Sequence, residues 1–194
     1  MWTALPILVV LALAGCGGTD TERAAVATPV AYRVVEGERG LAVELPEGWQ
    51  RAAATLTPRL TDPVEVLAVG TFPLREGGDN CSHMAERALT EIGARDAFVT
   101  LLERGYDRGS TWPDFPPRPE RFGPGLGGPS EASACVRGSR FTDHWFGFTD
   151  GGRHFHVLVA FGPDAPPAVR DQAWAVLDSL RVDPSIQPDW PSSG

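Results

Sequence analysis

The sequence predicts an α+β domain, a mainly antiparallel sheet with helices packed on it. Three observations carry this: apolar runs of strand length recur along the chain, two stripes of helical period interrupt them, and an Asp-Gly turn joins the last two strands. No internal repeat is present. The chain has 194 residues, enough for one domain with its own core, and Lys+Arg 17 against Asp+Glu 25 gives a net charge of −8. Such an acidic chain is a poor nucleic-acid ligand, and 42% hydrophobic residues set it apart from a disordered acidic polymer. All 17 basic residues are Arg, which excludes Schiff-base chemistry and a phosphate-binding P-loop lysine.

Ala31 to Val35 and Leu41 to Leu45 read as strands around the polar turn Glu36 to Gly40; Leu41, Val43 and Leu45 alternate as in a half-buried strand. Pro46-Glu47-Gly48 then forces a turn that delivers Trp49. Val64 to Phe72 is almost continuously apolar, the pattern of a strand covered on both faces. Asp79-Asn80 can cap a helix from Cys81 to Ile92, with Met84, Ala85, Ala88, Leu89 and Ile92 on one face and Gly93 ending it. Ala97 to Glu103 is a further apolar strand. Residues 112–129 hold six prolines and four glycines, which no helix or central strand survives, so a long loop follows.

Ser133 to Phe141 returns to a strand pattern. Thr142 to Thr149 and Arg153 to Phe161 form a hairpin about Asp150-Gly151, which sets Phe146 opposite Phe155 and Phe148 opposite Arg153. Asp164 and Pro166 open a last helix, striped by Val169, Ala173, Val176, Leu177 and Leu180, and Arg181-Val182 adds a short edge pairing. One domain over 30–183 results, with 184–194 as a loose tail.

Residues 1–15 are an uncharged apolar run, too short to span a bilayer and of the length of a signal-peptide core. Leu13-Ala14-Gly15-Cys16 resembles the lipobox of bacterial lipoproteins, which implies cleavage before Cys16 and a diacylglyceryl group on its thiol. The basic segment usual before such a core is missing, as it would be if the start were placed too far downstream. Gly17 to Pro29 carries Val26 as its one bulky apolar residue and reads as a tether, holding the domain on the order of 20 Å from the membrane. The expected location is the extracytoplasmic side of the cell membrane, anchored by lipid.

With Cys16 acylated, Cys81 and Cys135 remain as an even pair in an oxidising compartment. A disulfide between them would close a loop of about 55 residues, worth around 4 kcal/mol in the chain-entropy account. Two buried thiols packing as small apolar side chains are the alternative.

Leu41 to Trp49 resembles the opening of exported PsbP-like domains, and Ala173 to Val182 resembles their closing helix and terminal strand. The resemblance implies an α/β/α sandwich and no catalytic residue. Similar domains occur in lipid-anchored actinobacterial proteins. The Pro-rich loop departs from that pattern.

His154 and His156 share one strand face and form a candidate metal pair, but His144 points to the other face, so a third ligand must come from outside the hairpin. Otherwise they are polar residues on a partly exposed sheet face. No nucleophile elbow, HExxH, CxxC or nucleotide fingerprint is present, and no cofactor is implied. Trp112, Phe115 and Phe122 in the Pro-rich loop either anchor a partner or fold back to cover core. The expected function is a non-enzymatic, lipid-anchored domain that binds an envelope protein or small ligand; the alternative is an envelope enzyme, metal-dependent through His154 and His156.

Overall fold

A computed structural model describes residues 30–77, 80, 81, 83–105, 115–130, 136, 140–186, 188 and 190. Cys16, Trp112 and Cys135 lie outside the described residues, as does the whole of 1–29, so neither the leader nor the cysteine pairing is described. Cys81 is placed by its backbone alone.

The chain runs β1 (Tyr32–Glu36), β2 (Leu41–Pro46), β3 (Gln50–Arg51), β4 (Val64–Gly70), β5 (Asn80–Cys81), β6 (Met84–Ala85), α1 (Glu86–Glu91), β7 (Ala97–Arg104), β8 (Thr142–Asp150), β9 (Arg153–Phe161), α2 (Pro167–Asp178) and β10 (Arg181–Val182). A five-stranded antiparallel sheet has the order β3-β4-β7-β9-β8, and β1-β2-β10 form a second sheet. This is the α+β class that the sequence predicts.

β4, β7 and β9 are apolar on both faces because each face meets a separate core. Val69, Val99, Leu101, Val157 and Val159 pack with Leu41, Val43 and Leu45 of β2 and with Ala173, Val176 and Leu177 of α2. Their chain neighbours Ala68, Phe98, Leu158 and Ala160 point the other way, onto Met84, Ala85, Ala88 and Leu89. The two helices thus cover opposite faces. Trp49, delivered by the turn after β2, donates from Nε1 to Gln172 Oε1 at 3.0 Å and ties that turn to α2. No helix among the described residues is long and apolar enough to cross a membrane.

Four expectations change. The helix expected from Cys81 starts only at Glu86: Asn80–Cys81 turns back through His83, at φ 70, to pair with Met84–Ala85, and Ala85 provides no side-chain cap. Its apolar stripe is nonetheless buried as expected. The hairpin turn is Gly151-Gly152, both at positive φ, so Asp150 pairs with Arg153, Phe148 with Phe155 and Phe146 with Val157. That slip of two residues leaves every side chain on its expected face. The strand expected over Ser133 to Phe141 is absent at Val136, Arg140 and Phe141, and β8 opens only at Thr142; its remaining residues lie outside the described set.

The tail after Asp183 is docked where it is described. Asp183 N–H donates to the Gly40 carbonyl at 2.9 Å. Ile186 sits so close to Gly40, at φ 72, that any side chain there would collide with it. The Arg39 guanidinium lies 4.4 Å from the Trp190 ring centre.

A buried ion pair crosses the first core. Arg153 donates through Nε and Nη2 to the Glu103 carboxylate at 2.7 and 2.9 Å, and its Nη1 donates to the Arg39 carbonyl at 2.9 Å. The two side chains are 3% and 1% exposed. Removing one partner strands a buried charge, so Arg153→Met is expected to cost about 3–5 kcal/mol in urea unfolding. The double variant Glu103→Leu/Arg153→Met should recover most of that loss.

Candidate functional site

β4 carries a bulge. Glu65 pairs with Leu102 and Leu67 with Leu101, which leaves Val66 as the extra residue. Its carbonyl turns out to accept from Glu38 N–H at 2.9 Å. Glu65 then lies on the side of the sheet away from α2, where the 52–57 segment folds over it. Leu56 N–H donates to Oε1 at 2.9 Å and the Thr57 hydroxyl donates to Oε2 at 3.1 Å.

The residue is 7% exposed, yet it lines an open cleft of about 290 Å³ walled by Ala54, Thr55, Pro58, Leu60 and Val64. Burial pushes the Glu65 carboxyl above the usual carboxylate range, against the pull of its hydrogen bonds and of Arg51. Arg51 stands at the rim, paired with Glu38 at 2.9 Å. Such a cleft can hold a small molecule and can accept from it or donate to it through one carboxyl. The sequence does carry a signal for this site, outside any motif: Glu65 is the one charged residue in the nearly continuous apolar run Val64 to Phe72.

His154 and His156 do share a face, and His144 points away to pack on Trp174, with ring centres 5.2 Å apart. His156 is not on a partly exposed surface. It is 5% exposed, stacked on Trp145 at 4.9 Å and 15° and capped edge-on by Phe115 at 4.6 Å. The residue opposite it is Gly147, and only a glycine there lets the Phe115 ring lie on the strand. Burial, with the Arg104 guanidinium and His83 adding to it, lowers the His156 pKa to about 4. Burial and Arg104 lower His83 as well. The Arg104 guanidinium acting on His156 opposes a metal cation there. Among the described residues no group of three or more His, Cys, Asp or Glu side chains could hold a metal ion.

The Pro-rich loop runs along the outer edge of β8. Trp145 N–H donates to the Gly128 carbonyl, Thr149 N–H to the Pro116 carbonyl and Arg118 N–H to the Thr149 carbonyl, all within 2.9 Å. These bonds occupy an edge that would otherwise be open to pairing with another chain. The Arg118 side chain bonds Asp150 at 2.9 Å and donates to the carbonyls of Leu180 and Asp178 at the end of α2.

Phe122 is 5% exposed, edge-on to Phe148 at 5.2 Å, and its N–H donates to Asp178 at 2.7 Å. Of the two readings of this loop, Phe122 therefore follows core cover, and Phe115 is spent, half-buried, on the histidines. Neither is a free contact anchor. The third aromatic, Trp112, lies outside the described residues. The chain matches no protein-family model and no curated protein.

Because His156 is held neutral, the unfolded chain binds its proton more readily than the folded one between pH 6.5 and about 4. Its contribution is complete above pH 6.5 and is lost as pH falls toward 4, up to about 3 kcal/mol. Urea unfolding across that window should show wild type losing stability relative to His156→Phe steadily with acidification. A parallel pair of profiles would contradict the assignment.

Proposed function

We propose that the protein is a non-enzymatic domain, held outside the cytoplasm by a lipid on Cys16, that binds a small ligand in the Glu65 cleft. The cleft carries this reading: it is open, has a partly hydrocarbon wall and presents one buried carboxyl, while Phe122 is engaged in core and Phe115 on His154 and His156. At about 290 Å³ it lies at the small end of ligand pockets, which suits a small molecule better than a protein segment. The Leu13-Ala14-Gly15-Cys16 pattern supports the anchor, and 17–29 supplies a tether free of bulky apolar side chains apart from Val26. A disulfide between Cys81 and Cys135 belongs to the same proposal, since it needs the oxidising compartment that the anchor implies.

Catalysis through His154 and His156 is disfavoured by the Arg104 charge acting on His156 and by the desolvated state of that imidazole. Two measurements test the proposal. Mass spectrometry of the mature protein should find diacylglyceryl on an N-terminal Cys16, and Cys16→Ala should move the protein from the membrane to the soluble fraction; an uncut leader in the cytosol would refute the anchor. In ¹H–¹⁵N spectra, a panel of cationic, neutral and anionic small molecules should shift the Leu56 and Thr57 amides. A panel that moves neither amide would refute the cleft.

A further inference from the structure

Two glutamates are buried in the five-stranded sheet, and they are treated differently. Glu103 receives two arginines, a bidentate Arg153 and a longer contact from Arg39 at 3.5 Å. Glu65 receives none: its partners are the Leu56 N–H and the hydroxyls of Thr57 and Thr55, all neutral, and no cation among the described residues forms an ion pair with it. The nearby Arg51 is turned to Glu38 at the rim. Arg51 lowers the cost of charging Glu65 only from a distance; a desolvated carboxylate whose direct partners are all neutral remains costly to keep charged, and a cation in contact with it would recover that cost.

Glu103 faces a packed interior that the protein fills with its own guanidinium. Glu65 faces the cleft, whose volume of about 290 Å³ equals roughly ten water molecules. Past the carboxyl, Ala54, Pro58, Leu60 and Val64 supply a hydrocarbon wall, while the paired Arg51 and Glu38 also line the cleft. With a net charge of −8, the molecule as a whole also favours the approach of cations.

We infer that the cleft takes a small molecule bearing a protonated amine, whose ammonium group gives Glu65 a counter-charge in direct contact and whose short hydrocarbon stem lies on Pro58, Leu60 and Val64. This rests on the reading of the cleft as a ligand site and adds the class of ligand. The ammonium takes the place that Arg153 takes beside Glu103. No covalent bond changes; any proton resting on Glu65 leaves to solvent as the ion pair forms.

The full-length protein is titrated with butylammonium, butanol and butyrate while the Leu56 and Thr57 amides are followed by NMR. Butylammonium should shift both saturably and bind at least about tenfold more tightly than butanol, the worth of one charge-assisted hydrogen bond, with butyrate weakest. Glu65→Gln keeps an acceptor for Leu56 N–H and should bring butylammonium down to the level of butanol. Ala54→Trp, at an exposed wall position, should abolish binding of all three with Glu65 untouched. Equal binding of butanol and butylammonium, or full retention in Glu65→Gln, would overturn the amine while leaving the cleft as a ligand site. Failure of all three probes to bind would overturn it too, and the ligand site as read here would stand only on other members of the broader panel.

Discussion

A sheet that is apolar on both sides must be covered on both sides, and that constraint organises the rest of the molecule. Val99 and Leu101 serve one core while Phe98 serves the other, so no rotation or slip of β7 by a single residue is tolerated. One face is closed by α2 together with β2, the other by the short α1 and the segments that fold over β4. The β8 edge needs a third cover, and the Pro-rich loop provides it through backbone bonds and the burial of Phe122.

Charge inside such a sheet is tolerated only with compensation, and two solutions are visible, with Glu65 following neither. Glu103 and Arg153 neutralise each other with bidentate geometry, and in doing so join β7 and β9 to the Arg39 turn on which Trp190 rests. His156 gives up its charge, lying neutral between Trp145 and Phe115. Glu65 has no cation in direct contact among the described residues and no aromatic sandwich, and it lines an open cleft. The sheet is in this sense complete around Glu103 and His156 and incomplete at Glu65.

Much of the fold was legible because it rests on periodicity. β2, β4, β7 and α2 announce themselves through apolar spacing, and the opposite orientations of His144 and His156 follow from strand alternation alone. Local turn chemistry was less legible. Gly151-Gly152 competed with Asp150-Gly151 for the same hairpin, and His83 at positive φ breaks what side-chain spacing makes look like one helix from Cys81. The two-residue strands β3, β5 and β6 are too short to carry a period. The docked tail depends on Gly40 and Gly105 having room for Ile186 and Trp190, a tertiary fact with no sequence signal.

The site was legible only in retrospect. Aromatics in a Pro-rich loop and paired histidines draw attention by composition, yet Phe122 and His156 are both absorbed into the interior. Glu65 looked like one polar residue in a strand, because the bulge at Val66 and the 52–57 segment that make its cleft are not local features. The most direct measurement is native mass spectrometry of the protein purified gently from its own cells, compared with Ala54→Trp prepared identically. A small non-covalent adduct present on the first and missing from the second is the predicted result; bare protein in both samples, or an adduct that survives the filled cleft, would contradict it.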